Sequence, residues 1–96
     1  MADKRAKIAI VGAGTVARDN QIPAFKKCEN ADVVAVFDRH IERAQALCDR
    51  YGIPKAYDKF EQVLADKEID CVSICTGNVS HEGLVVEAAN AGKNIL

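Results

Sequence analysis

A β-branched apolar run, Ile8-Ala-Ile-Val11, stops abruptly at Gly12-Ala-Gly14-Thr-Val-Ala17, and this junction restricts the possible folds more than any other stretch. It reads as a buried strand that enters a tight turn and opens a helix. The three small positions have separate mechanical roles. Gly12 takes backbone angles that a Cβ resists. Gly14 lets a pyrophosphate approach the main chain, where helical N–H groups and the helix dipole favour an anion. Ala17 lets the helix pack closely on the strand. Alone, G-x-G-x-x-[GA] arises by chance in roughly one chain in fifteen of this length. The neighbouring segments must decide its meaning.

Those neighbours switch between two apolar periods. Asp32-Val-Val-Ala-Val-Phe37 is a second continuous run, hence a second buried strand, and Asp38 ends it. Between the two strands Pro23 interrupts the helix, so a kink is expected near Asn20 to Ile22, followed by a turn through Ala24, Phe25 and Lys27. Ile41, Ala44, Leu47, Cys48 and Tyr51 recur at spacings of three and four as the inner face of a helix that Gly52 and Pro54 end. Lys55–Tyr57 reads as a short edge strand. Asp58 and Glu61 form a capping arrangement for a short helix with Phe60, Val63 and Leu64 inside. A third buried strand covers 71–76, Gly77-Asn78 is a turn, and a helix with Leu84, Val85, Ala88 and Ala91 closes at Gly92. Residues 93–96 begin a last strand, with Lys93 a solvated residue before it.

Strands alternating with helices imply parallel pairing through right-handed crossovers. The expected fold is therefore α/β, a three-layer doubly wound parallel sheet (Rossmann) of strand order 3-2-1-4-5. Residues 1–96 form one unit, with a ligand crevice where strands 1 and 4 diverge.

Composition excludes several functional classes. Thirteen basic and 14 acidic residues are interspersed to a net charge of −1, so no basic stripe offers itself to nucleic acid. Aromatic residues are 5% of the chain, too few for base-stacking platforms. No apolar run approaches the ~20 residues that span a bilayer. The apolar segment after the basic N-terminus stops at Gly12, too short for a signal-peptide core, and a cytoplasmic location is expected. Cys28, Cys48, Cys71 and Cys75 lack metal-type spacing. On one strand, Cys71 and Cys75 stand about 13 Å apart, beyond the ~7 Å a disulfide spans. Buried, reduced thiols and no metal site are expected.

Asp38 lies 21 residues after Ala17, where a carboxylate can accept hydrogen bonds from an adenosine ribose or cap the following helix. Its charge repels a 2′-phosphate, which favours NAD over NADP. Arg39 stacks on adenine, reaches a 2′-phosphate, or is merely solvated, and His40 is a surface residue. Thr76, Asn78, Ser80 and His81 lie at the carboxyl end of the strand at 71–76, on the same sheet edge as Gly12 and Asp38. They either face the nicotinamide half of a dinucleotide or serve as helix caps and a packed or solvated imidazole. No nucleophile elbow or paired carboxylate site is present, so catalytic residues are not identified. A methyltransferase would carry an acid within the first strand, where Ile10 and Val11 stand.

IAIVGAGTVA, IPAF at 22–25, VVAVFDR at 33–39 and ICTGNVSH at 74–81, with the Tyr-Gly that ends the helix at 51–52, resemble the N-terminal domain of the Gfo/Idh/MocA oxidoreductases over residues 6–96. The resemblance implies hydride transfer between a nicotinamide cofactor, NAD or NADP, and a sugar, polyol or related carbonyl compound. It implies that Gly12, Gly14, Thr15 and Val16 hold the pyrophosphate, Asp38 and Arg39 the adenosine, and Thr76, Asn78 and His81 the nicotinamide side. Gly77 departs from the proline common in that segment. The family's Glu-Lys-Pro lysine and its substrate-binding domain would fall beyond Leu96, so the small-molecule substrate is expected to bind only with that domain and the chain alone to be inactive. A non-catalytic dinucleotide-binding sensor or scaffold is the alternative. An unpaired edge on the last strand would also invite homo-oligomers.

Overall fold

The computed structural model describes residues 6–14, 17–75 and 89–95. Five parallel strands, β1 (Ala6–Val11), β2 (Ala31–Phe37), β3 (Lys55–Tyr57), β4 (Cys71–Ile74) and β5 (Asn94–Ile95), form one sheet in the order β3-β2-β1-β4-β5. The order is the doubly wound one expected. The chain first steps outward from β1 to β3, then crosses back to β4 on the other side of β1. Crossovers of constant hand therefore place the intervening helices on opposite faces.

The core divides accordingly. Ile8, Ile10, Val33 and Val36 pack with Ala17, Ile22, Ala44, Leu47 and Cys48 on one face, beneath the first connection and α2 (Ile41–Tyr51). Ala9, Val11, Ala35, Phe37 and Val72 pack with Phe60 and Val63 of α3 (Phe60–Ala65) on the other. The rings of Phe37 and Phe60 meet at 5.5 Å between centroids, tilted by 56°.

One irregularity sets the end of β2. Pairing passes from Ile8 beside Val33 to Ala9 beside Ala35, leaving Val34 as an extra residue. Val34 and Ala35 consequently both pack with the α3 side. Beyond the bulge Phe37, rather than Val36, stands beside Val11, so Asp38 follows directly beside the glycine turn.

The first connection is helical in two pieces, as Pro23 requires. A π-helical turn, Ala17–Gln21, runs into α1 (Ile22–Lys26), where Pro23 occupies the first turn. Within α1 itself that position needs no N–H bond, because the first-turn amides of an α-helix have no partner inside the helix. The helix at 41–51 ends as expected, with Gly52 left-handed at φ 69° and its amide bonded to the Cys48 carbonyl.

Four local expectations change. Ile41 is not on the inner face of α2; it is 41% exposed at the helix start. The cap of α3 lies one residue later than Asp58 and Glu61 suggest. Lys59 is the N-cap, and its amide donates to Gln62 Oε1 at 3.1 Å. Lys93 is not simply solvated, because its ammonium donates to the carbonyls of Asp66 and Ile69, each at 2.7 Å. All four cysteines are free, yet Cys28 is exposed while Cys48 and Cys71 are buried. Among the described residues no cluster of metal-binding side chains occurs, and no helix is long and apolar enough to cross a membrane.

Candidate functional site

The turn after β1 and the turn after β2 share the carboxyl edge of the sheet. Gly12 is buried at φ 101°, a conformation that L side chains rarely adopt, and its amide donates to the Phe37 carbonyl at 2.7 Å. Gly14 is different. Its φ is not positive, it is exposed, and an added Cβ would meet nothing within 4 Å. Among the described residues, no packing demands a glycine at this position. What the missing side chain leaves is open space beside the main chain.

Asp38 joins the two turns. Its Oδ2 accepts the Ala13 amide at 2.8 Å, and its Oδ1 accepts the His40 amide at 2.8 Å. Its own amide continues the ladder to the Tyr57 carbonyl at 3.1 Å. The N-cap of α2 is His40, whose carbonyl receives the Arg43 amide at 3.0 Å. Asp38 therefore supports the cap rather than forming it. A carboxylate has about four acceptor positions, so two remain for hydroxyl donors. Arg39 and His40 are exposed beside it.

The Arg18 amide, near the start of the π-helical turn, donates to the Gly14 carbonyl at 3.0 Å. The Arg18 guanidinium is engaged by its neighbour, with Nε and Nη2 at 2.9 and 3.1 Å from the two Asp19 oxygens. That pairing raises the arginine pKa and lowers that of Asp19. On the other side of β1, the Cys75 amide donates to the Val11 carbonyl at 2.7 Å and extends the β1–β4 ladder to this edge.

Of the residues singled out in the sequence, Gly12, Gly14, Asp38 and Arg39 thus gather at one edge. Thr15, Val16, Thr76, Asn78 and His81 lie outside the described residues. The sequence reading missed Ala13, whose contribution is a main-chain amide and carries no side-chain signal.

A family model described as "Oxidoreductase family, NAD-binding Rossmann fold" (GFO_IDH_MocA) matches residues 6–96. The chain belongs to the Gfo/Idh/MocA oxidoreductase family. Among curated Gfo/Idh/MocA-like relatives, it is 36% identical over 90 residues to the "uncharacterized oxidoreductase ORF334" of Rhizobium meliloti, covering 94% of this chain and 27% of that protein. It is also 36% identical over 89 residues to the D-apiose dehydrogenase of Paraburkholderia graminis, covering 93% of this chain and 24% of the relative. A solved oxidoreductase from Agrobacterium radiobacter, in complex with NAD+, L-tartaric acid and magnesium, superposes with a TM-score of 0.89 at 33% identity. That match covers 95% of this chain and 26% of the solved one. The chain spans about a quarter of the length of these relatives, the part that carries the Gfo/Idh/MocA Rossmann sheet.

Proposed function

We propose that residues 1–96 are the dinucleotide-binding unit of an oxidoreductase that moves hydride between a nicotinamide cofactor and a sugar, polyol or related carbonyl compound. The observation that carries this reading is the open space at Gly14, one turn from a carboxylate at the end of β2. Gly12 shapes the turn, Gly14 leaves room for a pyrophosphate, and Thr15 and Val16 join them in holding it. Asp38 turns its remaining lone pairs to the ribose hydroxyls, with Arg39 beside the adenosine. Thr76, Asn78 and His81 serve the nicotinamide side. The bound nicotinamide would supply the hydride acceptor. D-Apiose dehydrogenase, a relative by sequence, supports a sugar-type substrate class. A substrate domain in the rest of the protein would read the substrate itself. Free cysteines agree with a reducing, cytoplasmic setting.

The negative charge of Asp38 favours NAD over NADP, because a 2′-phosphate would bring a second anion to it. Calorimetric titration of the chain with NAD and with NADP tests this, with Asp38→Ala alongside. NAD should bind more tightly than NADP, and the variant should lose about ten- to a hundredfold in NAD affinity, the range for a hydrogen bond to a charged group. Equal NAD affinity in the two proteins would remove the ribose assignment.

A further inference from the structure

A carbonyl in a π-type turn pairs with the N–H five residues ahead. Five residues ahead of Arg18 is Pro23, which has no N–H to offer. The Arg18 carbonyl is answered instead from another helix. The Tyr51 hydroxyl, 33 residues later in the chain, donates to it at 2.5 Å. Tyr51 is the last residue of α2, and its half-buried ring packs against the core face that α2 and the first connection share. The Arg50 guanidinium lies 5.5 Å from the centre of that ring.

The same Arg18 residue closes the turn on Gly14 through its amide. Its main chain is therefore held at both ends, by the glycine turn on one side and by Tyr51 on the other. The two bonds fix the peptide planes on either side of the Arg18 Cα, so holding one limits the φ and ψ excursions that would loosen the other. A bond at the carbonyl thus steadies the residue whose amide shapes the glycine turn.

We infer that Tyr51 is a positioning residue for the glycine turn: its hydroxyl replaces the amide that Pro23 lacks and holds Arg18, whose own amide bonds the Gly14 carbonyl. The consequence for a ligand rests on reading Gly12 to Gly14 as a pyrophosphate cradle; the tie itself does not. Tyr51 touches no ligand in this scheme. It acts through the backbone it restrains.

The test uses Tyr51→Phe, which keeps the ring and removes the hydroxyl, and a double variant that adds Pro23→Ala to return an amide to position 23. In the ligand-free protein, the Arg18 amide should exchange with solvent deuterium about two- to tenfold faster in Tyr51→Phe. In the double variant exchange should return toward the parent rate. NAD affinity should follow the same pattern, down by about two- to tenfold and then recovered. A lower melting temperature in Tyr51→Phe with Arg18 exchange unchanged would overturn the inference, as would a double variant that exchanges faster still. If the parent binds neither NAD nor NADP, the cofactor reading fails by itself, and the exchange measurements still decide the role of Tyr51.

Discussion

The carboxylate of Asp38 and the amide of Ala13 meet at 2.8 Å, across 25 residues of sequence. The acid that ends β2 and the glycine turn that ends β1 are therefore one hydrogen-bonded unit. The second oxygen of Asp38 holds the His40 amide at the start of α2. One side chain coordinates the two turns that form the candidate cradle, before any ligand arrives.

Removing that side chain should cost stability as well as affinity. Asp38→Ala leaves the amides of Ala13 and His40 without their partner, which should lower unfolding free energy by about 1–3 kcal/mol. Asp38→Asn keeps one carbonyl oxygen and should lose less. Urea denaturation of the two variants measures this, with an unchanged m-value confirming that the native state itself is affected. Parent-like midpoints in both would mean that water replaces the carboxylate at no cost.

Lys93 should matter more than its position before a two-residue strand suggests. Its ammonium joins the carbonyls of Asp66 and Ile69, and so ties the segment between α3 and β4 to the start of β5. Lys93→Met should lower stability by about 1.5–3 kcal/mol, the range for hydrogen bonds to a charged group. Thermal or urea unfolding would show it. A change within about 0.5 kcal/mol would mark an ordinary surface lysine.

Asp66 gives the fold a defined response to acid. The Lys55 ammonium at 2.8 Å and the Tyr57 hydroxyl at 2.7 Å hold its carboxyl at about 2, below the ordinary 3.8. Since the folded value is the lower one, the stabilisation is complete above the ordinary value and is lost as pH falls toward about 2. Carboxyl NMR titration should place the Asp66 midpoint near that value and move it upward in Lys55→Met. The same midpoint in parent and variant would exclude the ion pair as the cause.

Three of the thiols should separate by reactivity. Cys28 is exposed, whereas burial pushes the Cys48 thiol up to about 11 and also raises Cys71. The Cys48 Sγ further donates to the Lys55 carbonyl at 3.2 Å. Because the thiolate is the reacting form, iodoacetamide near pH 8 should label Cys28 first and reach Cys48 and Cys71 only on denaturation. Mass spectrometry of the alkylated peptides reads the order directly. Comparable rates at Cys28 and Cys48 would show that Cys48 is accessible by local opening.

Much of the fold was legible because its signals are local. The runs at Ile8 to Val11 and Val33 to Phe37, the break at Pro23 and the stop at Gly52 each report on their own stretch of backbone. Signals failed where a side chain had two plausible neighbours. Ile41 matched the apolar spacing of α2 but is its first residue and stays exposed, the buried face of the helix being Ala44, Leu47 and Cys48. Asp58 offered a cap, yet Phe60 and Val63 are the buried pair that sets where α3 begins, and the N-cap moved to Lys59. Pro23 did hold a hint of Tyr51, since a proline in a helical segment leaves a carbonyl in want of a donor.

By itself, the sequence determined the succession of strands and helices, and with it the order 3-2-1-4-5, because crossover handedness leaves few other arrangements of such a succession. It also placed Gly12, Gly14 and Asp38 at one sheet edge. Only the tertiary structure decided what these residues touch. The extra residue Val34 sets which position of β2 stands beside Val11, and so brings Asp38 level with the glycine turn. The bonds from Ala13 to Asp38 and from Tyr51 to Arg18 join groups 25 and 33 residues apart. Hydrogen bonds fall off within a few tenths of an ångström, and at such separations only the packed sheet and helices set the distance that closely.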